Sequence, residues 1–186
     1  MGSILCNLAL AACVAVAVAT GFHKVPAKVF LRYYTTLSNL LCGAAALLVA
    51  LCRMAGTVPQ WVLVVKYVGT VSVTVTMLTV VFFLAPHYGV KPMFGGRDLF
   101  LHLICPVLAL ASYFAWDKPA APFGIVFLGV ATVILYGAVY LYKVIRAPEE
   151  KRWEDFYTFN RDGKWKVSFA AMTAACFIIS AALWAL

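Results

Sequence analysis

Six long apolar runs separated by short polar links organise the chain. They cover about residues 3–22, 33–52, 61–84, 99–116, 122–142 and 167–186. Each is close to the roughly 20 residues that a helix needs to cross a bilayer core. The first run has no charged side chain up to Phe22. Ala17-Val18-Ala19 imitates a signal-peptide cleavage site, but the basic segment that precedes the apolar part of a signal is missing, so a helix is predicted. In the third run, Gly69-Thr70-Val71-Ser72-Val73-Thr74-Val75-Thr76 alternates as a strand would. A lone strand in lipid leaves its backbone unpaired, so this run too is predicted as a helix, with Ser72, Thr76, Thr79 and Phe83 on one face. The fourth run has His102 in its first turn and Pro106 one turn later. That proline predicts a kink and a freed carbonyl near His102.

Composition sharpens this into a class. The chain has 186 residues, is 65% hydrophobic and 12% charged, against about 25% charged in soluble domains. The reading is an all-α polytopic membrane protein: one transmembrane domain, 1–186, forming a six-helix bundle. The net charge of +8 does not point to nucleic acid, because the basic residues sit in short links. Twelve of the fifteen Lys and Arg follow the first, third and fifth runs; Arg53 and Lys118 lie on the opposite side, and Lys66 is within a run. That asymmetry predicts both termini on the non-cytoplasmic side and basic links against anionic headgroups. The six cysteines contain no CxxC pair and no metal-type cluster, so they read as small apolar packers.

The candidate chemistry gathers at one end. Tyr33-Tyr34-Thr35-Thr36-Leu37-Ser38-Asn39 opens the second run and crowds hydroxyls and a carboxamide where polar groups are costly. Runs two and four enter from the same side, so Thr36 and His102 each lie roughly 5 Å inside their helix starts. A threonine hydroxyl becomes a nucleophile once a base accepts its proton, and histidine is the usual base. Asp98, one turn before His102, is placed either to orient the imidazole or to complement the helix dipole. Asn39 is a candidate oxyanion donor, with Thr35 and Ser38 in support. Ser72, Thr76, Thr79 and Lys66 are candidate cavity-lining residues. Lys66 also has the option of snorkelling outward or of binding a lipid phosphate or carboxylate. A retinal-type Schiff base on Lys66 is set aside for want of an intramembrane acid, and a bis-histidine haem because only His102 lies within a run. Hydroxyls used purely as glue between helices are the competing explanation for the whole cluster. Tyr136 and Tyr140 are expected to pack in a core rather than line a cavity.

Tyr34-Thr35-Thr36-Leu37-Ser38-Asn39-Leu40-Leu41, together with Leu101-His102-Leu103-Ile104-Cys105-Pro106, resembles the androgen-induced (FAR-17a type) membrane proteins, closest to their bacterial six-helix relatives. The order of features is similar over nearly the whole chain. The resemblance implies a threonine hydrolase of fatty acid esters, with the threonine three residues before the asparagine, Thr36, as nucleophile and His102 as base; Thr35 is its adjacent competitor. It carries no role onto Trp153-Glu154-Asp155-Phe156-Tyr157. It also implies a bacterial inner or plasma membrane, a lipid or acyl-ester substrate, and no metal or cofactor. The other partner expected is the bilayer itself, with a homo-oligomer left open. The alternative function is a small-molecule or lipid transporter using the same polar cavity, for which helices broken near the midplane would speak.

Overall fold

A computed structural model describes residues 1–186. It is all-helical, without strands, and has six helices long and apolar enough to cross a membrane. These are α1 (Gly2–Lys24), α2 (Tyr34–Met54), α3 (Gln60–Tyr88), α4 (Arg97–Asp117), α5 (Ile125–Arg146) and α6 (Trp165–Ala185). The hydroxyl-rich tract of α3 is helical throughout: Thr70, Thr74 and Thr76 each donate to the carbonyl four residues back. Burying those hydroxyls is tolerable because each finds an acceptor on its own helix.

Prolines shape the helices in a repeated way. Four segments widen into π-helix: Val80–Leu84, Phe100–Ile104, Tyr113–Asp117 and Tyr142–Arg146. Each ends two residues before a proline: Pro86, Pro106, Pro119 and Pro148. A proline ring collides with the carbonyl four residues earlier, and a wider turn relieves the clash. Accordingly the N–H just before the proline bonds five residues back, Ala85 to Val80, Cys105 to Phe100 and Ala147 to Tyr142.

The chain divides into two compact units, Met1–Pro122 and Phe123–Leu186. In the first, α1 packs on α2 and α4, α3 packs on the same two, and α2 also reaches the π segment of α4. The core of this four-helix unit includes Leu10, Val14, Cys42, Val73, Leu101 and Cys105, with Phe30 of a short helix, Ala27–Phe30, inserted at one end. Small residues let the helices close up, as they do where lipid supplies no hydrophobic drive for association. A Cβ on Gly69 would stand 2.9 Å from the Cys42 Cα, and one on Gly43 would stand 2.9 Å from Val14. All six cysteines are free.

In the second unit, α5 and α6 pair, with the Phe169 ring over Gly137. The link between them folds on Tyr140, which is fully buried among Phe156, Tyr157 and Phe159. Asp155 ties that link down: it accepts from the Tyr140 hydroxyl at 2.7 Å and from the backbone N–H of Phe159 and Asn160. Tyr140 is thus a core residue.

Candidate functional site

The start of α2 and the start of α4 meet in the first unit, and Asn39 joins them. Its Nδ2 donates to the Thr35 carbonyl at 2.8 Å and to the Leu101 carbonyl at 3.0 Å. The Leu101 carbonyl is available for a specific reason. In the π segment, Cys105 N–H bonds to Phe100, so the next N–H in that register would serve Leu101; residue 106 is proline and has none. Asn39 supplies the missing donor. With carbonyls at both partners, the carboxamide can face only one way. Its Oδ1 is buried and has no hydrogen-bond partner. Asn39 is therefore an acceptor towards the site, not the oxyanion donor expected from sequence, because both of its N–H groups are engaged.

His102 is 8% exposed, and its ring stands edge-on to Phe94. Its Nδ1 lies 2.6 Å from the Met93 carbonyl. A carbonyl only accepts, so Nδ1 carries the proton and Nε2 of the neutral ring is left as an acceptor. The orienting group is thus a backbone carbonyl from the link before α4. Asp98 does not play that part: its side chain is 35% exposed and pairs with Arg97 at 3.5 Å.

The two threonines divide by direction. Successive residues of a helix turn by about 100°. Ser38 reaches α3, its hydroxyl 2.9 Å from that of Thr76, while Asn39 reaches α4. Thr35 points between them, about 60° from Ser38 and about 40° from Asn39. Thr36 points about 60° beyond Asn39, close to Gly43, which packs on Val14 of α1. On α4, Leu101 lies in the core shared with α1, α2 and α3. Thr36 is 1% exposed, whereas Thr35 is half-buried.

Of the expected lining residues, Thr76 belongs to this end through Ser38, and Ser72 is buried with its hydroxyl on Val68. Thr79 is half-buried further along α3. Lys66 does not belong here. It lies roughly 15 Å back along α3 from Thr76, is fully buried and does not snorkel. Its Nζ donates to Asn7 Oδ1 at 2.9 Å, because a carboxamide on α1 offers an acceptor inside the unit. Asn7 Nδ2 donates in turn to Asp117 Oδ2 at 2.7 Å, and the Ser3 hydroxyl to Asp117 Oδ1 at 2.9 Å. Arg53 closes the group with bonds to Asp117 at 3.1 Å and to the Trp116 carbonyl at 2.7 Å. An acid does stand inside the bundle, contrary to the sequence expectation: Asp117 is fully buried.

Sequence reading missed this second polar centre. Its signal was present in Asn7, a lone carboxamide one turn after Ser3 in an apolar run, and in Asp117 at the end of another. The Met93 carbonyl carried no signal, since any residue has one. No three His, Cys, Asp or Glu side chains gather where they could hold a metal ion. Comparison with known proteins finds no matching family model, no matching curated protein and no matching solved structure.

Proposed function

We propose that the chain is a multi-pass membrane hydrolase of lipid-like esters, with a threonine of the Thr35-Thr36 step as nucleophile and His102 as its base. The observation that carries this reading is the His102 tautomer: Nδ1–H is held on the Met93 carbonyl, and Nε2 is left to accept a proton. Such a base, beside the hydroxyl-rich start of α2, has the parts of nucleophilic acyl transfer. Of the two threonines, Thr35 is the better nucleophile. It is half-buried and within reach of a substrate, whereas Thr36 is 1% exposed. The role that the family resemblance implied for Thr36 passes to its neighbour on these grounds.

In this mechanism the Thr35 Oγ attacks the ester carbonyl as Nε2 takes its proton. Nε2 returns the proton to the leaving alcohol, and water then releases the acyl group. A site one to two turns inside the helix starts meets the ester level of a lipid. For the transporter alternative, which helices broken near the midplane would favour, α3 runs unbroken through Gly69, and α4 widens into a π turn before Pro106.

The test is hydrolysis of a long-chain umbelliferyl ester by the purified protein in detergent. His102→Gln and Thr35→Val are expected to lose about 100-fold or more, while Thr36→Val keeps most of the activity. Absence of hydrolysis by the wild type, or a loss confined to Thr36→Val, would contradict the proposal in its function or in its nucleophile respectively.

A further inference from the structure

Arg97 opens α4 with a guanidinium that the protein holds by its face. Its Cζ lies 4.9 Å from the centre of the Phe30 ring. That ring is 3% exposed and rests on α1 at Gly21, where a Cβ would collide with it. Phe22 meets it edge-on, with ring centroids 5.4 Å apart. Stacking on a ring uses the guanidinium plane and none of its N–H donors. In that plane, Nε pairs with Asp98 at 3.5 Å. This is longer than the roughly 2.7–2.9 Å of a charge-assisted hydrogen bond. Nη1 is buried and has no hydrogen-bond partner, while the side chain as a whole is 19% exposed. The guanidinium therefore stands at the edge of the packed interior with a charged donor unused, which costs free energy until an acceptor arrives. The surrounding chain does not supply one. The links from α1 to α2 and from α3 to α4 hold Lys24, Lys28, Arg32, Lys91 and Arg97, against Asp98 as their one acid.

We infer that Arg97 receives the phosphate of an anionic membrane lipid, its terminal Nη1–Nη2 fork on two phosphate oxygens and Phe30 as the platform beneath it. This stands apart from the hydrolase reading. The depth fits, because the first residue of a membrane-crossing helix lies at the headgroup level. The first residues of α4 pack on α1, whose last turn carries the exposed Lys24 three residues past Gly21. That cation adds to the field which draws an anionic headgroup. A guanidinium fork matches two oxygens on one phosphorus, where an ammonium would act as a point charge. A small turn of the guanidinium on the ring face brings Nη1 to the exposed edge, and Nη1 has no hydrogen bond to lose. A carboxylate offers two oxygens as well, so a free fatty acid is the competing source of the same contact.

The experiment is native mass spectrometry of the purified full chain in a neutral detergent. Phosphatidylglycerol is titrated against phosphatidylcholine with identical acyl chains, whose own choline covers its phosphate. The wild type is expected to prefer phosphatidylglycerol. Arg97→Gln should weaken that binding about tenfold and leave phosphatidylcholine within about twofold. Arg97→Lys keeps the charge without the fork and should weaken it about threefold. This variant carries the test should the glutamine variant fail to fold. Lys24→Gln removes a cation from the same end and should cost about twofold or less. Equal losses in Arg97→Gln and Lys24→Gln would reduce the effect to a diffuse basic surface and overturn the site. So would a wild type without preference between the two lipids. Displacement of phosphatidylglycerol by an equal concentration of decanoate would overturn the phosphate assignment.

Discussion

The four-helix unit has a polar centre at each end, and the two are built differently from similar groups. At one end Ser3, Asn7, Asp117, Lys66 and Arg53 bond mainly to one another and tie four helices together. Lys66 donates to Asn7, and Arg53 Nε is the one buried side-chain atom of the group without a partner. At the other end the polar groups are held by backbone carbonyls: Asn39 on Thr35 and Leu101, His102 on Met93. Anchoring to backbone fixes a side chain while leaving its second functional atom open, Oδ1 of Asn39 and Nε2 of His102. A network closed on itself suits cohesion, and one with acceptors held open suits chemistry. Burial alone does not separate them, since Asn7 and Asn39 are both fully buried.

Substitutions at the two ends should separate stability from activity. The largest stability effect is expected for Asp117→Leu. It leaves Arg53 and Lys66 without their common anion, and breaking a buried pair in this way costs about 3–5 kcal/mol. Thermal unfolding in detergent should show the loss, with ester hydrolysis per folded molecule unchanged; a selective loss of activity would mean that the two ends are coupled. Asn7→Leu should follow at about 1–3 kcal/mol, again without a selective effect on activity.

At the other end, Pro106→Ala restores an N–H and removes the ring, which lets the π turn tighten so that position 106 bonds to the His102 carbonyl. Turnover should fall about tenfold as His102 shifts, while the melting temperature holds or rises; unchanged turnover would show that the widened turn does not position the histidine. The smallest effect is expected for Asp98→Asn, within about twofold in activity, because Asp98 pairs with Arg97 and not with the imidazole. A large loss there would restore Asp98 as the partner of His102.

The six spans were legible because apolar runs of bilayer length leave few alternatives, and the hydroxyl tract of α3 was legible as helix once lipid was the solvent. The π segments were legible in principle, since every one stands just before a proline, but their consequence was not. Which carbonyl loses its donor depends on the turn being wider than an α-helix. The roles within the site were partly hidden for the same reason. Sequence spacing shows that Asp98 is one turn from His102, and not that a main-chain carbonyl arrives first. Thr35 and Thr36 differ in burial, the first half-buried and the second 1% exposed, which their adjacency in sequence does not show. Lys66 was misassigned because its acceptor sits on another helix, far away in the chain.

In the proposed reaction a threonine at the start of α2 is the nucleophile and His102 is the base. The most direct test is to label the purified protein with a long-chain fluorophosphonate, measure the intact mass and map the modified peptide. A single adduct on Thr35, absent in His102→Gln and retained in Thr36→Val, is the predicted result. An adduct on Thr36 would move the nucleophile by one residue. Labelling elsewhere, or none at all in a protein that still hydrolyses the ester, would contradict the account.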